Sequence, residues 1–249
     1  MSSEIEQPLA GGVNQVIQHE NGRRAPHIAR RTNPWPTTAA EAEAVQEQLR
    51  PLMDLTDPGP LTVDFIAGLD VGYAPDSDEV TGAVVVLDNT LRIVDQATSR
   101  QKAKFPYIPG LFAFRELPPL LTALDRLTIT PDLLICDGYG LAHPRRFGLA
   151  CHLGVLTGLP TIGVAKTAFV GTHADPAPTR GSWTPITLDH DTVGRALRTR
   201  DHVKPVYVSQ GHRISLDNAC AHVLRTTPAY RLPEPIRLAD RLSRTNPPA

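Results

Sequence analysis

The chain has 249 residues, 41% of them hydrophobic and 20% charged, with a formal net charge of −1. That length suits one α/β domain with a short appendage, and the near-neutral balance by itself points to no polyanionic partner. The absence of an 18-residue apolar run and of an apolar N-terminal core argues against a membrane span or secretory leader, and Cys136, Cys151 and Cys220 form no CxxC or CxxH pair that would suggest zinc or disulfides. A reducing, cytoplasmic setting is expected, and the chain is expected to be a monomer with no membrane contact.

Residues 1–36 are polar and mixed, and they read as a disordered extension. Residues 37–244 read as the folded domain and 245–249 as a tail. Thr37 or Thr38 can cap a helix reaching toward Leu55, with Ala42, Val45, Leu49 and Leu52 along one side and Pro51 disturbing its last turn. Asp57-Pro58-Gly59-Pro60 supplies turn chemistry. Val63–Val71, Gly82–Leu87 and Leu91–Thr98 then form a meander of three strands.

A helix over about Leu111–Leu127 contains Pro118-Pro119, which predicts a kink or a fresh N-terminus there. Leu133–Cys136 is a short buried strand. Arg145–Thr157 reads as a helix with Pro144 at its first turn and Gly158 at its end. Thr161–Ala165 and Val203–Ser209 are further strands, and Leu216–Arg225 is a further helix. Three strands before the first crossover helix predict a single-domain α/β fold, a ribonuclease-H-like mixed β-sheet flanked by helices.

Three acids stand where a metal could be held. Asp70 interrupts the apolar strand Phe65–Val71, where a carboxylate needs a partner. Asp137 follows Leu133–Cys136 at a strand's carboxyl end, a usual ligand position in open α/β sheets. Glu116 lies on the helix after the third strand. Hard oxygen ligands from separate elements suit Mg²⁺, which can polarise a phosphoryl oxygen and acidify water. Lys166, after the strand Ile162–Ala165, could steady charge on phosphorus, and His212 could orient water or move a proton.

The loop Phe105-Pro106-Tyr107-Ile108-Pro109-Gly110 is a proline-stiffened apolar tip with one aromatic ring. It fits either a wedge into a base stack or a tyrosine packed on the core. Between Arg195 and Arg244 ten Lys/Arg oppose four acids, a local charge of +6. That run fits either a phosphate-binding face or a solvated arginine-rich surface.

Together these segments resemble the endonuclease V family, nucleases acting on deoxyinosine in DNA or inosine in RNA. The matching runs are Gly68–Tyr73, Pro106–Gly110 through Phe114-Arg115-Glu116, Asp137–Arg146, Thr161–Lys166, Val208–Arg213 and Tyr230–Leu242. The resemblance spans about Thr38 to Ser243. It implies Asp70, Asp137 and Glu116 around Mg²⁺ (Mn²⁺ can substitute), with Lys166 and His212 acting in phosphoryl transfer. It further implies Tyr107 as the wedge, with Pro106, Ile108 and Pro109 beside it. Gly110 and Gly138 would line a pocket for flipped hypoxanthine, and His143 and Arg145 would hold backbone phosphates. The activity implied is DNA repair by nicking at the second phosphodiester bond 3′ of the lesion, leaving a 5′-phosphate.

Gly72, Tyr139 and Gln210 depart from the commonest pattern, where Ser, Gln or His, and Pro are frequent. Tyr139 bears on substrate choice. DNA containing deoxyinosine is the expected partner. Inosine RNA and a non-catalytic inosine-binding module are the alternatives, and the intact set of five chemical residues argues against the module. A hydrolase built on Cys151 and His152 is discounted, because adjacent helical residues point apart.

Overall fold

The computed structural model describes residues 35–245. The expected extension before residue 35 and most of the expected tail lie outside the described residues. Trp35 and Pro36, which the sequence reading placed in the extension, belong to the fold. Trp35 packs edge-on to Phe114 and stacks on His152.

Helix α1 (Ala39–Leu49) begins with a capping box between Thr38 and Glu41, and Arg50–Leu52 continues it as one 3₁₀ turn where Pro51 stops the α-helix. Strands β1 (Phe65–Tyr73), β2 (Glu79–Asp88) and β3 (Ile93–Lys102) form the expected meander. Then come α2 (Ala113–Leu124), β4 (Leu133–Asp137), α3 (Leu149–Thr157) and β5 (Thr161–Ala165). A hairpin of β6 (Trp183–Leu188) and β7 (Asp191–Leu197) leads to β8 (Val206–His212), α4 (Leu216–Arg225) and α5 (Glu234–Thr245).

The eight strands form one sheet in the order β3-β2-β1-β4-β5-β8-β7-β6. Only the pairs β1–β4 and β4–β5 are parallel. This is the mixed, helix-flanked sheet that the element order predicts. Alternation along the strands sorts side chains between its faces. Ala67, Leu69, Leu134 and Cys136 pack with Leu117 and Leu120 of α2 and Leu153 of α3. Ile66, Leu133, Ile135 and Val164 pack on the other side with Val223 of α4 and Ile236 of α5. Among the described residues no helix is long and apolar enough to cross a membrane.

Three local expectations are corrected. Helix α2 continues through Pro118 and Pro119 with no fresh N-terminus there. Pro118 cannot donate to the carbonyl of Phe114, and the Trp35 indole supplies that hydrogen bond at 2.7 Å. Helix α3 starts at Leu149, not Arg145: Arg146 is left-handed (φ 54°) and Gly148 is the extended N-cap. The β6–β7 hairpin was not foreseen. Its turn places Asp189 and His190 at positive φ (49° and 72°), without the Asn-Gly or Asp-Gly pair that advertises such turns.

His152, 1% exposed, sits among Trp35, Phe114 and Phe147 with its Nδ1 unpartnered. Burial lowers its pKa to about 3, against 6.5 ordinarily. The unfolded chain takes up the proton below 6.5 and the folded chain does not, so this stability is complete above pH 6.5 and drains away toward pH 3. Urea unfolding should show wild type losing about 2 kcal/mol relative to His152→Phe between pH 7 and pH 5. A constant difference between the two pH values would contradict this account.

Candidate active site

Register places the acids. Leu69 of β1 pairs with Cys136 of β4 in parallel, which sets Asp70 beside Asp137. Asp70 shares a strand face with Ile66, and Asp137 with Ile135, so both carboxylates project toward the α5 side of the sheet. Lys166 follows β5 and donates from Nζ to Asp137 Oδ2 at 2.5 Å. Half-buried Glu116, in the first turn of α2, accepts the Tyr73 hydroxyl at 2.6 Å and lines one pocket with Asp137 and Lys166.

A fourth carboxylate, Asp240 of α5, was missed by sequence reasoning. Ile236 and Ala239 are buried on α5, and Asp240 flanks that face, so the helix's apolar spacing is the signal that could have found it. Ser243, one turn further, donates to Asp70 Oδ2 at 3.2 Å. Arg244 caps Asp240 at 2.6 Å.

These charges crowd one another. Burial, with the charges of Asp137 and Asp240, pushes the Asp70 carboxyl up to about 6. Burial, with the charges of Asp70 and Asp137, pushes Glu116 up to about 7 despite the Tyr73 hydrogen bond. Burial works against the Lys166 ammonium, but Asp137, Asp70 and Asp240 outweigh it and hold its pKa above the ordinary value. Lys166 and Arg244 against four carboxylates still leave an excess of hard oxygen donors, the chemistry of a divalent-cation site. As placed, no three His, Cys, Asp or Glu side chains among the described residues enclose an ion: Lys166 holds one oxygen of Asp137 and Tyr73 one of Glu116.

A pocket of about 240 Å³ adjoins this cluster, walled by Phe112, Gly138, Tyr139, His143 and Phe169. The Tyr139 and Phe169 rings lie 5.0 Å apart and 32° from parallel. Flat aromatic walls suit a planar heterocycle. At the rim, Tyr107 is 66% exposed and rests on Phe112, with ring centroids 4.3 Å apart. The core-packed alternative for Tyr107 is thereby set aside. Pro106 and Pro109 are also exposed and Ile108 is half-buried.

Gly110, at φ 80°, anchors the loop. Its carbonyl accepts from Gln46 Nε2 (3.1 Å), His143 Nε2 (2.9 Å) and Arg145 Nη2 (3.0 Å). The backbone N–H of Arg145 donates to His143 Nδ1, and burial lowers the pKa of this ring to about 4, so the imidazole is neutral. His143 and Arg145, expected to hold phosphates, both donate to the Gly110 carbonyl at the end of the loop. Arg145 is further occupied by Gln46 and Glu43.

His212 is not brought to the cluster. It pairs with Thr161 at the start of β5, whereas Lys166 follows the other end. Five residues of strand separate those ends, about 16 Å. Its Nδ1 accepts from the backbone of Asp54. The arginine-rich run is largely structural too. Arg198, Arg200 and Arg231 donate to main-chain carbonyls, and Arg195 and Arg237 pair with Asp217 and Glu234.

Residues 47–241 match the sequence profile of the Endonuclease V family. Endonuclease V of Streptomyces coelicolor is 58% identical over 212 residues, covering 84% of this chain and 91% of that protein. The crystal structure of endonuclease V from Streptomyces avermitilis superposes with a TM-score of 0.83 at 55% identity, covering 87% of this chain and 96% of that one. The Ciona intestinalis endonuclease V, in complex with a 24mer DNA containing an inosine followed by a ribo-adenosine, superposes with a TM-score of 0.72 at 29% identity, covering 83% and 96%.

Proposed function

This chain belongs to the endonuclease V family, and from that premise we propose that it is a Mg²⁺-dependent endonuclease of DNA repair. It takes a deoxyinosine base out of the strand and nicks at the second phosphodiester bond 3′ of it, leaving 3′-hydroxyl and 5′-phosphate ends. The observation that carries this reading is an aromatic, ring-sized pocket beside a carboxylate–lysine cluster, with exposed Tyr107 on its rim.

Asp70, Asp137, Glu116 and Asp240 are the donors that would hold the cation. Bound there, Mg²⁺ would polarise a phosphoryl oxygen and make an attacking water more acidic; Mn²⁺ can substitute. The Lys166 ammonium, steered by Asp137, faces negative charge developing on the phosphate. Tyr107 fills the gap in the stack that the flipped base leaves, and Phe112, Gly138, Tyr139 and Phe169 close around that base.

The inosine strand held by the Ciona protein supports this choice of ligand, and the ribo-adenosine in that strand keeps inosine RNA as the alternative. Cleavage of end-labelled duplexes with one deoxyinosine, one riboinosine or one deoxyadenosine, mapped on a sequencing gel, tests substrate and position together. The deoxyinosine strand should yield one product, cut immediately 3′ of the lesion's 3′ neighbour, and deoxyadenosine none. A faster cut at riboinosine would move the assignment to RNA. Equal cutting of all three would overturn inosine recognition.

A further inference from the structure

Tyr73 is the last residue of β1, three beyond Asp70, and nothing in the chemistry above requires it. Its hydroxyl donates to Glu116 Oε1 at 2.6 Å. Its ring meets the Tyr107 ring edge-on, with centroids 6.4 Å apart and planes at 81°. The Arg115 guanidinium lies 5.6 Å from the centre of the same ring. Arg115 in turn donates to the carbonyl of Phe105, the root of the Tyr107 loop, at 2.9 Å.

The contacts close a circuit. Tyr107 rests on Phe112, and Phe112 stands four residues before Glu116 at the start of α2. Residues four apart share a helix face, so the ring that walls the pocket and the carboxylate at the cluster move on one surface. Tyr73 joins the two ends of that surface, one through its hydroxyl and the other through its ring.

We propose that Tyr73 is a positioning residue: it fixes the Glu116 carboxylate by holding Oε1, leaving Oε2 for a cation, and ties that orientation to the seating of Tyr107. The proposal rests on the reading that the carboxylates hold a divalent ion and Tyr107 enters the stack. A neutral hydroxyl suits the task, because it orients a carboxylate without supplying a counter-charge that would compete with the ion.

Tyr73→Phe removes the hydroxyl and keeps the ring contacts. Mn²⁺ titration of the nucleic-acid-free protein, followed by electron paramagnetic resonance, should show affinity about three- to tenfold weaker than wild type. Single-turnover nicking of a deoxyinosine strand at saturating Mn²⁺ should fall about tenfold, while the affinity for that strand in EDTA stays within about twofold. Tyr107→Ala should show the reverse division, weaker strand binding with Mn²⁺ affinity kept. In the double variant the two rate losses should fail to multiply by a factor of about three or more, the mark of coupled residues.

Unchanged Mn²⁺ affinity and rate in Tyr73→Phe would overturn the positioning role. Losses that multiply fully would overturn the tie to Tyr107. A uniform fall in metal binding, strand binding and melting temperature would show a merely structural role and overturn both. If wild type nicks no inosine strand, the functional reading fails, and the Mn²⁺ titration alone decides the hold on Glu116.

Discussion

Asp70→Asn should remove nicking by on the order of 10³-fold while making the metal-free protein more stable. Asparagine keeps the shape of the side chain and can still accept the Ser243 hydroxyl. It deletes one charge from a cluster in which Asp137 and Asp240 already oppose that charge. A carboxyl raised to about 6 in the folded chain from an ordinary value near 3.8 costs stability. That cost begins as pH rises past the unfolded value and is complete above the folded one. In EDTA at pH 8 the variant should therefore resist urea better by on the order of 1 kcal/mol, and the gain should vanish near pH 3. Added Mg²⁺ should stabilise wild type and leave the variant nearly unmoved. A variant that is less stable at pH 8 in EDTA, or that nicks at the wild-type rate, would contradict the account of the cluster.

Gly68→Ala should have the largest effect on the fold, and through it on the site. A Cβ at residue 68 would stand 2.1 Å from the backbone of Pro235, and one at Gly72 would stand 2.9 Å from the carbonyl of Ser243. From Gly68 to Gly72 is about 13 Å of strand, and from Pro235 to Ser243 about 12 Å of helix. Helix α5 thus lies along a glycine track on β1, with Asp70 between the two contacts and Asp240 above it. Closing that track must push α5 outward, since backbone cannot rotate away as a side chain would. The expected cost is about 3 kcal/mol, with loss of most nicking because Asp240 and Ser243 leave the site. Retention of both stability and rate in Gly68→Ala would show that the close docking of α5 is dispensable.

What could be read from the residues alone follows from what local chemistry dictates. The first helix's threonine cap, β4, β5 and the Gly158 stop are written in short-range patterns and appear there, and the β1–β3 meander appears with its strand ends shifted by one to four residues. Asp70 was recognisable because a carboxylate inside an apolar strand needs a partner, and Asp137 because it closes a strand at a usual ligand position. Register was not legible. His212 looked suited to chemistry until the antiparallel pairing of β5 with β8 carried it to the far end of the sheet. Asp240 depends on how α5 docks, which is set by glycines far away in sequence. The arginine run has a net charge that sequence can count, but not the carbonyls that absorb it. His143 and Arg145 were tied to the neighbourhood of the pocket by their motif, whereas their hold on Gly110 emerged only from three-dimensional placement.

The measurement that bears most directly on the central claim is cleavage of a labelled duplex carrying one deoxyinosine, in Mg²⁺ and in EDTA, with wild type beside Asp137→Ala. The account predicts a single nick 3′ of the lesion in Mg²⁺, none in EDTA, and none from the variant, which still binds the strand. An equal nick in EDTA, or full activity without the Asp137 carboxylate, would contradict it.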